Sequence, residues 1–453
     1  MEMSSVAVNI AVGTVVAGIC GLVMSTRKGG AGNTCIDEAA QSEQAACHAE
    51  THFHLISNSD SARDVALRYD ASKVHVLVTG GSGYLGTHTC LVLLEKGYEV
   101  TVIDNLANSK LEGLRRVAKL TGMGRYLHFK RLNVSNVVSL SEFLEVIPEC
   151  SACYHLAALK AVGQSCQLPL EYYDNNVGGT VRLLQILHEH NCRRFIFSSS
   201  ATVYGTSVAP VTEESPVGVG IANPYGRSKY IVEEVLRDFS KSEMGKEWAI
   251  MILRYFNPVG AHESGLIGED PSGIPNNLMP YVLQVAIGRR KELTIFGDDY
   301  PTPDGTGVRD YIHVMDLADG HQKSLQYMNQ KGTGLYAFNL GSGRGFSVLE
   351  MVNALQKVSG VPIPYSVGER REGDLAEVYA DASAAKRELG WSVSRGLETM
   401  CKDMWRWQQC NPQGFNKAEE EAVAASLAGP AKGPRLSTGG IARRMSLAAI
   451  FVR

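Results

Sequence analysis

The chain has 453 residues, of which 44% are apolar and 20% charged, and its formal net charge is −3. This length allows about two to three domains, and a near-neutral charge without a nucleic-acid-reading motif argues against DNA or RNA as a partner. Among ten cysteines only Cys150 and Cys153 form a C-x-x-C motif, which lacks the second ligand pair of a structural zinc site. We predict no metal site, and reduced core thiols in a cytoplasmic protein.

The first 71 residues form an N-terminal extension with two parts. Residues 6–24 read VAVNIAVGTVVAGICGLVM, nineteen residues without a charge, and a helix of about 20 apolar residues spans a bilayer. Because Arg27 and Lys28 follow this segment, a membrane anchor would leave the rest of the chain facing the cytosol. A targeting segment is the alternative. Residues 29–71 are small and polar, which predicts a linker.

Between Val74 and Gly260, short β-branched runs alternate with segments of helix length. The runs are VHVLV, VTVI, ACYHLAA, RFIFSSS and AIMILRYF. This alternation is typical of βαβ units, and it predicts an α/β fold with a doubly wound parallel sheet of the Rossmann type.

A glycine motif, VTGGSGYLG, follows the first run and precedes a helical pattern. Gly80, Gly83 and Gly86 would allow a tight turn and let a pyrophosphate approach the N-terminus of that helix. Asp104 ends the second run, eighteen residues after Gly86, where a carboxylate can bind ribose hydroxyls. Since an acid there repels a phosphate on that ribose, the predicted cofactor is NAD rather than NADP.

Three polar groups predict chemistry on an alcohol. Ser198 and Ser200 end the run RFIFSSS, and open parallel sheets bind ligands at the carboxyl ends of their strands. In NPYGRSKY, Tyr225 and Lys229 lie one helical turn apart. A serine that positions a secondary alcohol, a tyrosine that takes its proton and a lysine that lowers the pKa of the tyrosine would together support its oxidation.

These motifs together resemble the extended short-chain dehydrogenase/reductase family. HLAALKAVGQS, LEYYDNNVGGT, SSSATVYG, LRYFNPVGAH, GIPNNLMPYV and TGVRDYIHVMDLADGH are similar to strings of its UDP-glucose 4-epimerases, from about Val74 to Gly414. The resemblance implies an NAD-binding Rossmann domain over residues 72–257. It also implies a smaller α/β domain over residues 258–414, interleaved with the first, that binds the UDP-sugar, and a homodimer.

The resemblance also implies the residues of the site, with Tyr225 as general base, Lys229 as its electrostatic partner and Ser200 beside the 4-hydroxyl of the sugar. The residues assigned to NAD are Gly80, Gly83, Tyr84, Leu85, Gly86, Asp104, Asn105, Asn133, Val134, Leu156, Ala157, Ala158, Lys160, Asn175, Ser198, Tyr225, Lys229 and Tyr255. The residues assigned to the UDP-sugar are Lys160, Asn176, Ser200, Tyr225, Asn257, Asn276, Asn277, Leu278, Arg309, Arg371, Asp374 and Val378.

The implied reaction belongs to galactose metabolism. It interconverts UDP-glucose and UDP-galactose by oxidation at carbon four, rotation of the 4-keto sugar, and reduction from the other face. Two positions depart from the family. Asn133 stands where an acidic residue near the adenine is usual, and Val378 stands where some members carry a tyrosine near carbon two. The smaller valine predicts that N-acetylated UDP-sugars are also substrates, unless Tyr379 or a shifted backbone fills the space.

Two alternatives remain at this point. A sugar-nucleotide 4,6-dehydratase of the same fold would need an acidic pair after the strand-end serine, where this chain has Ala201, Thr202 and Val203. A non-catalytic NAD- and UDP-sugar-binding scaffold would be expected to lose the tyrosine or the lysine, and both are present. The last 39 residues, 415–453, have the Gly, Pro and Ser content of a disordered tail.

Overall fold

The computed structural model describes residues 52–271, 273–371 and 373–415. The predicted membrane segment at residues 6–24 and the predicted tail from residue 416 onward lie outside these ranges. Within the described ranges, none of the helices has both the length and the apolar character needed to cross a bilayer.

The strands of the described chain are numbered in chain order. They are β1 (His54–Leu55), β2 (His75–Thr79), β3 (Glu99–Asp104), β4 (Leu127–Arg131), β5 (Ala152–His155), β6 (Arg194–Ser200), β7 (Ala249–Tyr255), β8 (Asn257–Val259), β9 (Leu293–Phe296), β10 (Val308–His313), β11 (Gly334–Leu340), β12 (Gly345–Ser347), β13 (Tyr365–Gly368) and β14 (Glu377–Val378).

The α-helices are numbered in the same way. They are α1 (Ala62–Ala66), α2 (Tyr84–Glu95), α3 (Glu112–Thr121), α4 (Val137–Val146), α5 (Val162–Gln167), α6 (Pro169–Tyr172), α7 (Gly179–Glu189), α8 (Pro224–Lys241), α9 (Leu278–Ala286), α10 (Val314–Lys331), α11 (Val348–Ser359) and α12 (Leu397–Cys410).

The main sheet has eight strands in the order β1-β4-β3-β2-β5-β6-β7-β11, and all neighbours are parallel. From β2 the chain moves outward through β3 to β4, and from β5 it moves in the opposite direction. The order therefore reverses between β2 and β5, which is where such sheets bind ligands. This topology confirms the predicted doubly wound α/β fold, and the five runs read from the sequence become β2, β3, β5, β6 and β7.

Helices cover both faces of this sheet. Val76 and Val78 of β2 pack into one core with α2, α3 and α10, whereas Leu77 packs into a second core with α4, α7 and α8. Successive residues of a strand point to opposite faces, so a strand covered on both sides must be apolar throughout. The buried thiols Cys150 and Cys153 belong to the second core and form no disulfide, as predicted.

The C-terminal part of the chain contributes to two regions. β11 extends the main sheet beside β7, and α10 covers one face of it. β8, β10, β12 and β14 form a second sheet, and β9 pairs with β13. These smaller sheets pack with α9, α11 and α12 around a third core. The division into domains at residues 72–257 and 258–414 stays a prediction.

The prediction of a linker up to residue 71 is wrong for its described end. Residues 52–71, which we call the N-terminal strap, form β1 and α1, and β1 pairs with β4 as the outermost strand of the main sheet. Aromatic contacts hold the strap in place, because the His128 ring lies between His54, at 5.1 Å, and Tyr69, at 3.9 Å. A two-residue strand leaves no alternating pattern that would reveal it in the sequence.

Candidate active site

The glycine turn lies where the strand order reverses. Gly80 follows β2 with φ +72°, and a Cβ there would come within 2.6 Å of the Ala157 nitrogen, beyond β5. At Gly86, in the first turn of α2, a Cβ would lie 2.4 Å from the Gly80 oxygen. Only glycines permit this close approach of backbone to backbone. The resulting cradle at the N-terminus of α2 fits the pyrophosphate of a dinucleotide.

Asp104 lies beside this cradle at the carboxyl end of β3. Its carboxylate accepts hydrogen bonds from Ser82 N (3.1 Å), Leu106 N (2.9 Å) and Ser109 Oγ (2.8 Å). Burial raises the pKa of the Asp104 carboxyl, and these three donors partly offset that increase. A carboxylate has about four acceptor positions, so Asp104 is held in place and keeps capacity for a ribose hydroxyl.

The predicted catalytic residues meet at the carboxyl end of β6. Asn223 caps α8, since its side-chain oxygen accepts from Gly226 N at 2.8 Å, and this cap places Tyr225 in the first turn. Burial raises the pKa of the Tyr225 phenol, and the hydroxyl of Ser200 acts to lower it by favouring the ionised form. One turn further along α8, Lys229 Nζ donates to the Ser198 carbonyl oxygen at 2.6 Å and to Ser198 Oγ at 3.2 Å.

Thr202 determines which way the Ser200 hydroxyl points, a role that its motif does not predict. Ser200 Oγ accepts from Thr202 N at 3.2 Å and from Thr202 Oγ1 at 2.9 Å. Because both lone pairs of the oxygen are then used, the hydroxyl hydrogen of Ser200 is left to donate to Tyr225. Thr202 lies in a 3-10 turn, residues Ala201–Tyr204, directly after β6, and only its position beside Ser200 could have suggested this role.

The pKa values at the site differ in one respect from expectation. Burial lowers the pKa of the Lys229 ammonium to about 7. Burial also raises the pKa of the Tyr225 phenol, and the hydrogen bond from Ser200 offsets part of this increase. The expected lowering of the Tyr225 pKa by Lys229 is therefore not found. The physical reason is that the ammonium lies against the Ser198 carbonyl and the Phe197 ring, and its own charge is disfavoured by burial.

A second cluster contains the arginines predicted for UDP. Asp374 lies between them: its Oδ2 accepts from Arg371 Nε at 2.8 Å, and its Oδ1 lies 3.7 Å from Arg309 Nη2. The guanidinium of Arg371 lies over the ring of Phe296, 5.2 Å from its centroid, and this ring is 44% exposed. Phe296 is absent from the predicted set, although the alternating burial of β9 shows it to be an outward-facing aromatic.

Val378 links the two clusters. It lies on β14, where it pairs with Arg309 of β10, and it packs into a small core with Val203 and Phe256. Val203 lies three residues after Ser200, and Phe256 follows Tyr255, which pairs with Ser200 in the sheet. The next residue, Tyr379, points the other way, since a Cβ on Gly345 of β12 would lie 3.3 Å from its ring. Tyr379, the alternative occupant of the space beside Val378, therefore lies on the opposite face of the strand.

Four other predicted residues, Tyr84, Tyr255, Lys160 and Asn277, use their side chains for contacts within the protein. Tyr84 donates to the Gly260 carbonyl at 2.8 Å, and Tyr255 is hydrogen-bonded to His321 in the core. Lys160 forms an ion pair with Glu269 at 3.2 Å, and Asn277 donates to the same oxygen at 3.4 Å. These contacts join the glycine turn and the Lys160 loop to the C-terminal part of the chain.

Several predicted amides are engaged within the protein. Asn133 accepts from Ser135 N at 3.0 Å, Asn105 accepts from Ala107 N at 2.9 Å, and Asn257 donates to the Asp310 carbonyl at 2.9 Å. Those three side chains are exposed and keep free donor or acceptor positions. Asn276 is also exposed. Five other predicted residues have no polar side-chain atom and could contact a ligand only through the backbone or by packing: Leu85, Val134, Leu156, Ala158 and Leu278.

Asn176 is the predicted residue that the structure places least favourably for a substrate contact. It is 3% exposed, and its amide bonds the Leu159 nitrogen at 2.9 Å, the Leu159 oxygen at 3.0 Å and Ser228 Oγ at 3.0 Å. It also accepts from its neighbour Asn175 at 3.0 Å. Asn176 thus fixes the loop that carries Lys160 against α8, rather than facing the open site.

Comparison with known proteins agrees with this arrangement. A family model described as GDP-mannose 4,6 dehydratase matches residues 77–404. UDP-glucose 4-epimerase of Bacillus subtilis is 53% identical over 345 residues, which are 76% of this chain and 99% of that protein. The Homo sapiens enzyme of the same name is 53% identical over 347 residues, 75% of this chain and 98% of that protein.

Among solved structures, UDP-glucose 4-epimerase from Bifidobacterium longum in complex with NAD+ and UDP matches with a TM-score of 0.72 and 49% identity. The match covers 75% of this chain and 100% of that one. More than half of the aligned residues are shared with these curated relatives over nearly their whole length, and the glycine cradle and the Ser–Tyr–Lys group are present. The chain therefore belongs to the UDP-glucose 4-epimerases, which are NAD-dependent isomerases of the extended short-chain dehydrogenase/reductase family.

Proposed function

We propose that this chain interconverts UDP-glucose and UDP-galactose at carbon four, with Tyr225 as the general base and Ser200 as the group that aligns the sugar hydroxyl. The observation that supports these roles is the grouping of Ser200 with Tyr225 and Lys229 of α8 at the carboxyl end of β6, where Lys229 Nζ donates to the Ser198 carbonyl at 2.6 Å and Ser200 offsets part of the rise that burial causes in the Tyr225 pKa. β6 is one strand away from the reversal of strand order. Open α/β sheets bind their ligands at this edge.

The proton moves between the sugar and Tyr225, and Ser200 and Lys229 are the other two residues that the proposed reaction uses. The 4-hydroxyl of the sugar lies beside the Ser200 hydroxyl and gives its proton to Tyr225, which acts in its ionised phenolate form, as carbon four is oxidised. The chemistry that NAD supplies when bound is the reversible oxidation of carbon four to a ketone. For the second half of the reaction Tyr225 returns the proton to the ketone oxygen on the turned sugar. In this proposal the buried Lys229, one helical turn after Tyr225 on α8, holds the nicotinamide ribose.

UDP supplies most of the substrate's binding energy in this proposal. The guanidinium groups of Arg309 and Arg371 offer paired donors for the diphosphate, and Asp374 orients both. The exposed ring of Phe296 offers a stacking surface for the base. Contacts concentrated on UDP leave the sugar free to turn, which the return of the ketone from its other face requires.

The test is to incubate the purified chain with UDP-galactose and NAD and to measure UDP-glucose. We expect conversion by the wild type. In Tyr225→Phe we expect activity to fall about 10²- to 10⁴-fold, because general-base help is lost, while bound NAD is retained. Near-full activity of Tyr225→Phe would refute the assignment of the base, and the absence of UDP-glucose with the wild type would refute the function.

The same assay separates the dehydratase alternative, which the description of the matching family model also raises. A 4,6-dehydratase would yield a 4-keto-6-deoxy sugar. We favour the epimerase because the turn after Ser200 presents Ala201, Thr202 and Val203 and no carboxylate, and because Thr202 is already bonded to Ser200. A scaffold without activity would leave UDP-galactose unchanged.

Three further features belong to the proposal. We propose that the space beside Val378 admits an N-acetyl group, so that UDP-N-acetylglucosamine and UDP-N-acetylgalactosamine are also interconverted. We propose that the catalytic part faces the cytosol, with residues 6–24 as the point of any membrane attachment, because Arg27 and Lys28 follow that segment. We also propose that the chain forms a homodimer, as the family resemblance implies.

A further inference from the structure

A buried ion pair that no step of the proposed reaction uses lies behind the carboxyl end of β6. Glu233 lies on α8, four residues after Lys229 and eight after Tyr225, so the three side chains follow one stripe of the helix. The side chain of Glu233 is 0% exposed and that of Arg254, on β7, is 2% exposed. Arg254 Nε donates to Glu233 Oε1 at 3.1 Å, and Arg254 Nη2 donates to Oε2 at 2.8 Å.

Ser199 connects this ion pair to the strand that carries Ser200. The Ser199 hydroxyl, in a residue that is 1% exposed, donates to Glu233 Oε1 at 2.5 Å. On the other side of Ser200, the phenol of Tyr204 accepts from Arg254 Nη1 at 2.9 Å. The Ser200 backbone is therefore held between two residues that are fixed by the same pair of charges.

Further hydrogen bonds extend the network. Glu233 also accepts from Arg237 Nη2 at 2.7 Å, and the Tyr204 phenol donates to Asn339 Oδ1 at 2.6 Å on β11. A buried ion pair is weak evidence for stability, because burial removes the hydration of both charges and apolar residues of the same volume often stabilise as well. What a network of directional bonds does supply is one fixed arrangement of the elements that it joins.

We propose that Glu233, Arg254 and Ser199 are positioning residues, which fix the carboxyl end of β6 with its Ser200 hydroxyl against the part of α8 that carries Tyr225. The proposal rests on the function proposed above for that pair. Because Glu233 and Tyr225 lie on one stripe of α8, a small rotation of this helix against β6 would separate the phenol from the serine. A misplacement of about 1 Å at reacting groups can lower a rate by about 10²-fold.

The test is Ser199→Ala, which removes the link to β6 and leaves the Glu233–Arg254 ion pair intact. We expect kcat for UDP-galactose to fall about ten- to a hundred-fold while KM and the thermal unfolding midpoint stay close to wild type. Ser324→Ala on α10 is the matched control. Ser324 is also fully buried, its hydroxyl donates to the Gly320 carbonyl at 2.7 Å, and it lies outside the site, so kcat should not change.

A double-mutant cycle separates positioning from general damage. In a Tyr225→Phe background, Ser199→Ala should lower the residual rate much less than it lowers the wild-type rate, because its effect passes through the missing phenol. An unchanged kcat in Ser199→Ala would overturn the proposal, and so would an equal fold-loss in both backgrounds. If the wild type made no UDP-glucose, the proposed function would fail first, a result distinct from either of these.

Discussion

The proposed use of N-acetylated sugars depends on the size of one side chain, that of Val378. Val378 lies on β14 with its neighbour Tyr379 turned toward Gly345 on the other face, so Tyr379 does not occupy the space on the Val378 side of the strand. We expect wild type to turn over UDP-N-acetylgalactosamine as well as UDP-galactose. Val378→Tyr should abolish the first activity by steric exclusion and largely keep the second.

Comparing both substrates on wild type and variant checks this prediction. Val138→Tyr is a suitable control, because Val138 lies on α4 with 65% of its surface exposed and should tolerate the ring without effect on either substrate. If the wild type does not act on the N-acetylated sugar, the pocket is closed by a shift of the backbone, and the valine does not set specificity.

Single residues were predictable where their chemistry is rare and their spacing regular. Tyr225, Lys229 and Ser200 were found because a phenol, an ammonium and a strand-end hydroxyl have a joint meaning beside a glycine turn. Thr202 and Glu233 were not, since a threonine in a turn and a glutamate on a helix are ordinary in a sequence. Glu233 owes its importance to a hydrogen bond with Ser199 that joins α8 to β6, and Thr202 owes its importance to the shape of the turn after β6, which brings it onto Ser200.

Among the elements, the N-terminal strap adds a titratable cluster to the edge of the main sheet. His54 and Tyr69 of the strap stack on His128 of β4, whose Nε2 lies 2.9 Å from Glu99 Oε1 on β3. The edge of the Tyr69 ring meets His75 on β2. The other charged or ionisable groups around this cluster are Asp60, Arg68, Asp70, Arg125, Lys130, Cys150 and Glu149.

Acid should release the strap. Burial lowers the pKa of His54 and His75 to about 4 and that of His128 to about 3, so attachment favours their neutral forms. The stabilisation that they contribute is present above their ordinary pKa of about 6.5 and is lost as the pH falls toward 4. Burial raises the pKa of Glu99 to about 7, which acts in the opposite direction between about pH 4.5 and 7. The loss of stabilisation from the three histidines is larger than the gain from the single Glu99 carboxyl, so the net effect of acid is to weaken attachment of the strap.

Hydrogen exchange measures this release. The amide of Ile56, bonded to the Phe129 carbonyl at 2.9 Å, should lose protection between pH 7 and pH 5 after correction for intrinsic rates, while amides of β7 keep theirs. His54→Phe preserves the stacking but removes one titrating group, so its strap should stay protected to lower pH. Equal loss of protection in β7 would mean global unfolding and would contradict a local release.

Elements were predictable from sequence to the extent that they repeat a pattern. The apolar runs of β2, β3 and β5 to β7 are long enough to be recognised, and their alternation with helices gave the parallel sheet. β1 has two residues and no pattern. β11 was not placed in the main sheet because it lies about eighty residues beyond β7 along the chain, and pairing over such a separation has no local signature.

For the whole molecule, the prediction concerns its orientation in the cell. If residues 6–24 anchor the chain, Arg27 and Lys28 should keep the catalytic part in the cytosol. We expect protease added to sealed membrane vesicles, cytosolic face outward, to degrade residues 74–414 at the same rate as after detergent treatment. A catalytic part that is protected until detergent is added would contradict this orientation.

The place of β11 in the main sheet has a consequence for biosynthesis. All seven residues of β11 pair with β7, so β7, which is buried along its whole length in the folded chain, is left as the edge strand until Leu340 has left the ribosome. During that interval the nascent chain exposes an apolar strand edge, which is the kind of surface that chaperones bind and that promotes aggregation. Pairing across so long a loop also slows folding. A nascent or truncated chain ending near residue 257 would therefore be recognised as unfinished, however complete its cofactor motif.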